Sequence, residues 1–177
     1  MNRLYKIVSN PLYFFGIIVI IVIAISTQQF LLQPKTMTEN ALLYTHYNNY
    51  LIFKQSFYHL IQHKDLYQLY PLEHFDYYKY SPTFALLMAP MALMHDLIGL
   101  FIWNLLNAMV LFFALIKLPI WNNKTNYFLL IFVLIELITS LQNSQSNGLI
   151  AGLLIFAFLF LEKKNIALAS LFIVLTV

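Results

Sequence analysis

The stretch "PLYFFGIIVIIVIAISTQQFLL", residues 11–32, runs for 22 residues without a charged side chain. As a helix it measures about 33 Å, enough to cross a hydrocarbon core of about 30 Å. Arg3 and Lys6 precede it, which is also how a cleavable leader begins. The residues after the apolar run, "STQQFLLQ", contain no small-x-small cleavage site. The stretch therefore reads as an uncleaved first transmembrane helix, and the rest of the chain must be read with lipid as its solvent.

Composition agrees. Of 177 residues, 61% are hydrophobic and 10% charged, where soluble domains carry about 25% charged residues. A soluble core of this size has no room for so much apolar surface, so the chain reads as an integral membrane protein. The net charge of +3 is spread thinly. Nucleic-acid binding is excluded, because it requires clustered Lys and Arg. The absence of cysteine excludes disulfide and thiolate chemistry.

Residues 33–82 change character. They carry four lysines (Lys35, Lys54, Lys64, Lys79), four acids (Glu39, Asp65, Glu73, Asp76) and four of the five histidines. A connector this long is functional or disordered, and its many Tyr, Phe, Leu and Ile argue against disorder. Within it, Tyr50, Phe53, Phe57, Leu60 and Ile61 mark one face of a helix. Such a helix can lie in the membrane interface or pack on the rest of a folded loop; the spacing allows both.

Residues 83–177 supply further hydrophobic helices. The blocks are Thr83–Met94, Leu97–Leu118, Tyr127–Leu141, Gly148–Leu161 and one from Ile166 still running at Val177. That last block leads us to expect a single membrane domain forming the N-terminal part of a longer protein. Thr83–Met94 is twelve residues, about 18 Å of helix, and contains Pro90. If it does not cross, Arg3, Lys6, Lys117, Lys124, Lys163 and Lys164 all face the cytoplasm, as short cytoplasmic connections prefer. The long loop and the connection "QNSQSN" then share the outer face. The expected fold is all-α: a polytopic transmembrane helical bundle with a long, partly helical outer loop after the first helix, N-terminus cytoplasmic.

Several side chains stand out chemically. Glu136 sits in "LLIFVLIELITSL", where a carboxylate is costly and by default functional. Ser140, Asn143 and Asn147 follow at helical steps and would form one polar stripe with it, facing protein or a hydrated cavity. A helix–helix hydrogen bond explains Glu136 equally well, and packing explains Asn104 and Asn107 better. His59 and His63, four apart, and His74 near Asp76 complete no diagnostic metal set, so neither metal nor cofactor is expected. Tyr77, Tyr78 and Tyr80 fit an interfacial belt. Glu73 and Asp76, beside Lys79, could serve as general bases or hold a hydroxyl-bearing ligand.

The order of several stretches resembles the C-type (GT-C) membrane glycosyltransferases, and among them glycosyltransferase family 87, the polyprenyl-phosphate-mannose-type transferases. The stretches are "NNYLIFKQSF" at 48–57, "KDLY" at 64–67, "KYSPTFALLMAP" at 79–90, "IWNLLNAMV" at 102–110 and "SQSNGLIAGLL" at 144–154. The resemblance implies inverting transfer of a sugar from a polyprenyl-phosphate donor to a glycan or lipid acceptor hydroxyl on the outer face of a membrane, here a bacterial plasma membrane. It also implies an Asp early in the first outer loop as base. Here that position reads Asn48–Asn49, and a neutral amide cannot take the proton. Asp76 or Glu73 can replace it, Asn48 or Asn49 can bind the acceptor, or the protein can bind a lipid-linked glycan without catalysis. Tyr-Pro-Pro becomes Tyr-Ser-Pro, and Gly-Gln becomes Ser-Gln. Lys79 is the candidate phosphate contact, with Tyr80, Glu136, Gln145 and Asn147 as substrate contacts. A transporter or flippase would share the polar stripe and broken helices, but has no evident need of a folded aromatic loop.

Overall fold

The computed structural model describes residues 11–36, 42–119 and 123–176. Arg3 and Lys6 lie outside the described residues. Helix α1 (Pro11–Leu31) leads into a two-residue antiparallel ribbon, β1 (Lys35–Thr36) and β2 (Leu43–Tyr44), which pairs Lys35 with Tyr44. Then come α2 (Asn48–Ile61), the short α3 (Pro82–Leu87) and α4 (Ala89–Ala92), α5 (Asp96–Ile116), α6 (Asn123–Gln142), α7 (Asn147–Glu162) and α8 (Ile166–Val174). The fold is all-α, and each apolar block of the sequence has become helical.

The break at Thr83–Met94 has local causes. The Ser81 hydroxyl caps α3 by accepting from the Phe84 N–H at 3.3 Å, and Pro82 follows in the first turn, where its missing N–H costs nothing. Pro90 cannot donate to the turn before it, and α3 gives way to α4 at Met88. Six and four residues rise about 9 and 6 Å; neither helix reaches across a bilayer.

Helix α5 is the pillar. Along one half, Trp103 and Leu100 join Tyr50, Phe53, Phe57, Tyr78, Phe84 and Met88 in a core that docks α2, α3 and α4. Along the other, Ala108, Leu111, Phe112 and Leu115 pack against Phe14, Ile18, Val22 and Ile25 of α1 and Leu137 and Leu141 of α6. The buried α1 residues recur at steps of three or four, one helical stripe. Its other face keeps Leu12, Ile17, Ile20 and Ile23 exposed. Helix α7 meets α5 through Gly148 and Gly152: a Cβ at Gly152 would stand 2.8 Å from the backbone of Val110 and Leu111. That spacing of small residues is the close-approach device of membrane helices.

By length and composition, Leu12–Leu31 and Asp96–Ile116 can each cross a membrane. The end of α1, the long loop and the α6–α7 turn meet at one end of the bundle. Gln29 Nε2 donates to the Gln142 carbonyl at 2.8 Å and to Ser144 Oγ at 2.9 Å, and Asn49 Nδ2 donates to the Asn143 carbonyl at 2.8 Å. At the C-terminal ends of α5 and α7, Lys117 and Lys163 border a 390 Å3 cleft. The loop and "QNSQSN" thus share one end, as the charge distribution requires.

Candidate active site

The acidic segment is held by the head of α2. Asn48, buried, donates from Nδ2 to the Phe75 carbonyl at 2.7 Å and accepts from the Phe75 N–H at 2.8 Å. An amide can do both, whereas a carboxylate has no hydrogen to donate. Farther along α2, buried His59 donates from Nε2 to a Glu73 carboxylate oxygen at 2.8 Å, with the Tyr70 ring against it, centroids 3.9 Å apart. His74 is buried too, and its Nδ1–H donates to the Asp76 carbonyl at 3.1 Å. Burial pushes the His74 imidazole below its usual pKa of 6.5.

Asp76 takes a positive φ of 83°, a region Asp and Asn tolerate better than other side chains. Its carboxylate accepts from Lys79 Nζ at 2.8 Å and from the Tyr77 N–H at 2.7 Å. The Lys79 bond, chiefly, keeps the carboxyl below the usual aspartate range, and the Tyr77 N–H adds to this. The side chain is 46% exposed. Tyr78 is core rather than belt; its hydroxyl donates to the Ser81 carbonyl at 2.6 Å, and burial raises its pKa. Tyr80 stacks on Phe84 at 4.6 Å and shares a 2.6 Å hydrogen bond with Ser146 Oγ.

The α6–α7 turn is the second half of this end. Ser144, at φ 51°, and Ser146 are fully buried. Trp103 Nε1 donates to the Ser144 carbonyl at 2.9 Å, and Asn107 Oδ1 accepts from the Leu149 N–H at 3.0 Å. Asn104 Nδ2 donates to Ser26 Oγ at 3.0 Å and Gln29 Oε1 at 3.3 Å. Asn104 and Asn107 are therefore packing residues. Ser26 and Gln29, three apart at the end of the first apolar run, are the network members that the sequence reading missed; their common helix face was the available signal.

Two clefts flank the α5–α7 contact. One, 330 Å3, is apolar throughout, walled by Phe84, Met88, Trp103, Leu106, Leu149 and Leu153 among others. The other, 260 Å3 between α5, α6 and α7, holds Glu136, Ser140 and Asn147 among Leu111, Leu115, Val133, Leu137, Ala151 and Ile155. Three members of the expected stripe share it. Asn143 is turned back, its Nδ2 donating to the Thr139 carbonyl at 2.9 Å. Gln145 pairs with Asn147, Oε1 accepting from Nδ2 at 2.9 Å.

Glu136 and Asn147 thus come together, with Gln145 at the rim. Asp76, Glu73, Asn48 and Asn49 sit on the loop above and line neither cleft. The two groups are joined through the head of α2, where Asn48 holds the acidic segment and Asn49 the turn. Among the described residues no three of His, Cys, Asp and Glu gather as a metal site.

The family model of glycosyltransferase family 87 matches residues 78–177. That is more than half of the chain, which therefore belongs to glycosyltransferase family 87. With its two apolar helices of spanning length, it is a membrane protein and a glycosyltransferase. Lys79, Tyr80, Glu136, Gln145 and Asn147 fall inside the match; Asn48, Asn49, Glu73 and Asp76 precede it. No curated protein and no solved structure matches the chain significantly.

Proposed function

We propose that this chain carries the transfer site of a multi-pass enzyme of the bacterial plasma membrane, N-terminus cytoplasmic. It takes a sugar from a polyprenyl-phosphate donor and passes it to an acceptor hydroxyl on the outer face. The observation that supports this reading most is the pair Asn48–Asn49. Consecutive side chains tie the acidic loop to a turn flanked by one apolar and one polar cleft. Greasy and charged parts of one donor need such a junction.

In this reading the acceptor oxygen attacks the anomeric carbon from the face opposite the phosphate. The new C–O bond forms as the bond to the phosphate oxygen breaks, and the centre inverts. Asp76 accepts the hydroxyl proton, and the polyprenyl phosphate leaves with the bonding electrons. Lys79 holds Asp76 in the resting site. Protonation of Asp76 ends that ion pair and frees the ammonium for the departing phosphate. Glu73, oriented by His59, is the second acid on this rim. The apolar cleft beside Trp103 receives the lipid tail, and Tyr80, Gln145 and Asn147 border the sugar. Family membership favours transfer over transport as the use of the polar stripe.

The test is Asp76→Asn in the full-length protein. Asn tolerates the same backbone, so the variant removes charge and leaves the loop. Transfer from a polyprenyl-phosphate sugar should drop about 10²–10⁴-fold, the usual worth of a general base, while membrane insertion persists. Unaltered turnover removes Asp76 from the role.

A further inference from the structure

The 390 Å3 cleft beside Lys117 and Lys163 lies at the end of the bundle away from the loop, and sugar transfer makes no use of it. We infer that this cleft seats the headgroup of an anionic phospholipid, its phosphodiester held between the two lysines and an acyl chain laid along α7. Only the leaflet, the cytoplasmic one, rests on the orientation proposed above; the pairing of cleft and headgroup does not.

The two lysines end neighbouring helices. Lys117 is the C-cap residue of α5, and Lys163 that of α7. Both ammoniums stand over rings of α7: Lys117 Nζ is 5.7 Å from the Phe156 centroid, and Lys163 Nζ is 5.9 Å from the Phe160 centroid. Phe156 and Phe160 are four residues apart, about one helical turn. Phe172 of α8 stacks on both, with centroids 5.5 and 5.4 Å away. The rings are held from behind, and they set both cations against one cleft.

Charge then selects the ligand. Among the described residues neither lysine is paired with a carboxylate. An ammonium has three N–H donors, so a ring on one side leaves donors for a phosphate. Glu162 also lines the cleft. Two cations and one carboxylate leave a net positive charge, which a phosphodiester neutralises and a zwitterionic headgroup does not. Glu162 only accepts, so it suits a headgroup that carries hydroxyls, as phosphatidylglycerol does. Below the charges, Phe160, Leu159 and Phe156 line the cleft one to two turns down α7 from Lys163. Headgroup chemistry at the helix ends and hydrocarbon beneath is the layering of one leaflet, and basic pockets between membrane helices take anionic headgroups. A lipid so placed joins the ends of α5 and α7.

The experiment titrates full-length protein in detergent with phosphatidylglycerol, phosphatidylethanolamine or phosphatidylcholine, counting bound lipid by native mass spectrometry and reading the melting temperature. Phosphatidylglycerol should bind tightest and raise the melting temperature most. Lys117→Gln and Lys163→Gln should each weaken its binding about fivefold, and the two together about thirtyfold, as expected for lysines at an anionic headgroup. Lys117→Arg with Lys163→Arg should retain it. Lys35→Gln, at the loop end, should change nothing. Melting in phosphatidylcholine shows that each variant folds. If the double Gln variant loses the same stability in phosphatidylcholine as in phosphatidylglycerol, the lysines only balance the helix ends and the inference falls. Binding indifferent to both lysines overturns it too, as when another segment of the protein covers the cleft. So does a preference for phosphatidylethanolamine, or equal stabilisation by soluble glycerophosphoglycerol, which has no acyl chain. Sugar transfer is not read in this experiment, so each of these outcomes leaves the transferase reading where the Asp76→Asn test puts it.

Discussion

Asn48 shows how one amide can decide a loop. It stands where family resemblance leads one to expect a catalytic carboxylate, yet it both donates to and accepts from Phe75. Asn48→Asp would turn an acceptor toward the Phe75 carbonyl. We expect a loss of about 1–3 kcal/mol, the cost of an unpaired buried polar group, read as a lower unfolding temperature and faster hydrogen exchange over residues 73–76. His74 provides a pH prediction in the same segment. Its proton affinity is lowered by burial, so the unfolded loop binds more protons than the folded one below pH 6.5. Stability therefore falls as pH drops from about 6.5 toward the folded pKa. Exchange protection of residues 70–76 should weaken over that window, and His74→Gln should flatten the dependence. Asp76 acts in the same direction at lower pH. Its carboxyl is depressed by Lys79, so its share of stability holds above the usual aspartate pKa and disappears as pH falls through the depressed one.

At the level of elements, the α5–α7 contact holds the two clefts apart. Gly152 is the tight point, because the atoms a side chain would meet there are backbone atoms of Val110 and Leu111 and cannot rotate away. Gly152→Val should force the helices apart and destabilise the bundle by about 1–3 kcal/mol, the range for overpacking, seen as a lower melting temperature in detergent. Ala151, one residue away, lines the cleft between α5, α6 and α7. Helices α3 and α4 behave as a plug: their apolar residues join the aromatic core around Phe53, Phe84 and Trp103, with ring centroids 5.2–5.8 Å apart.

For the whole molecule, the decisive quantity is which connections share an end. The loop and the α6–α7 turn touch through Asn49 and Tyr80, and Lys117 and Lys163 share the cleft at the C-terminal ends of α5 and α7. Because the chain has no cysteine, single cysteines report sidedness directly. Gln145→Cys should react with an impermeant maleimide added outside intact cells, and Lys163→Cys only after permeabilisation. The reverse pattern would invert the topology and remove the outer-face site with it.

Class and helix positions were legible in the chain itself, because a bilayer leaves few choices: long uncharged runs must become helices to satisfy their backbone, and Pro90 in a twelve-residue block must break one. The sharing of one end by the loop and "QNSQSN" was legible too, through the distribution of lysines. What the sequence could not determine is which polar groups meet. The two bonds of Asn48 to Phe75 cannot be read from the sequence, and Ser26 and Gln29 read as the tail of a spanning helix until Asn104 and the α6–α7 turn close on them. The separation of Asp76 from Glu136 is likewise a tertiary fact. Periodicity along a helix says which residues share a face, but only the packing of α5 against α7 decides what that face opposes.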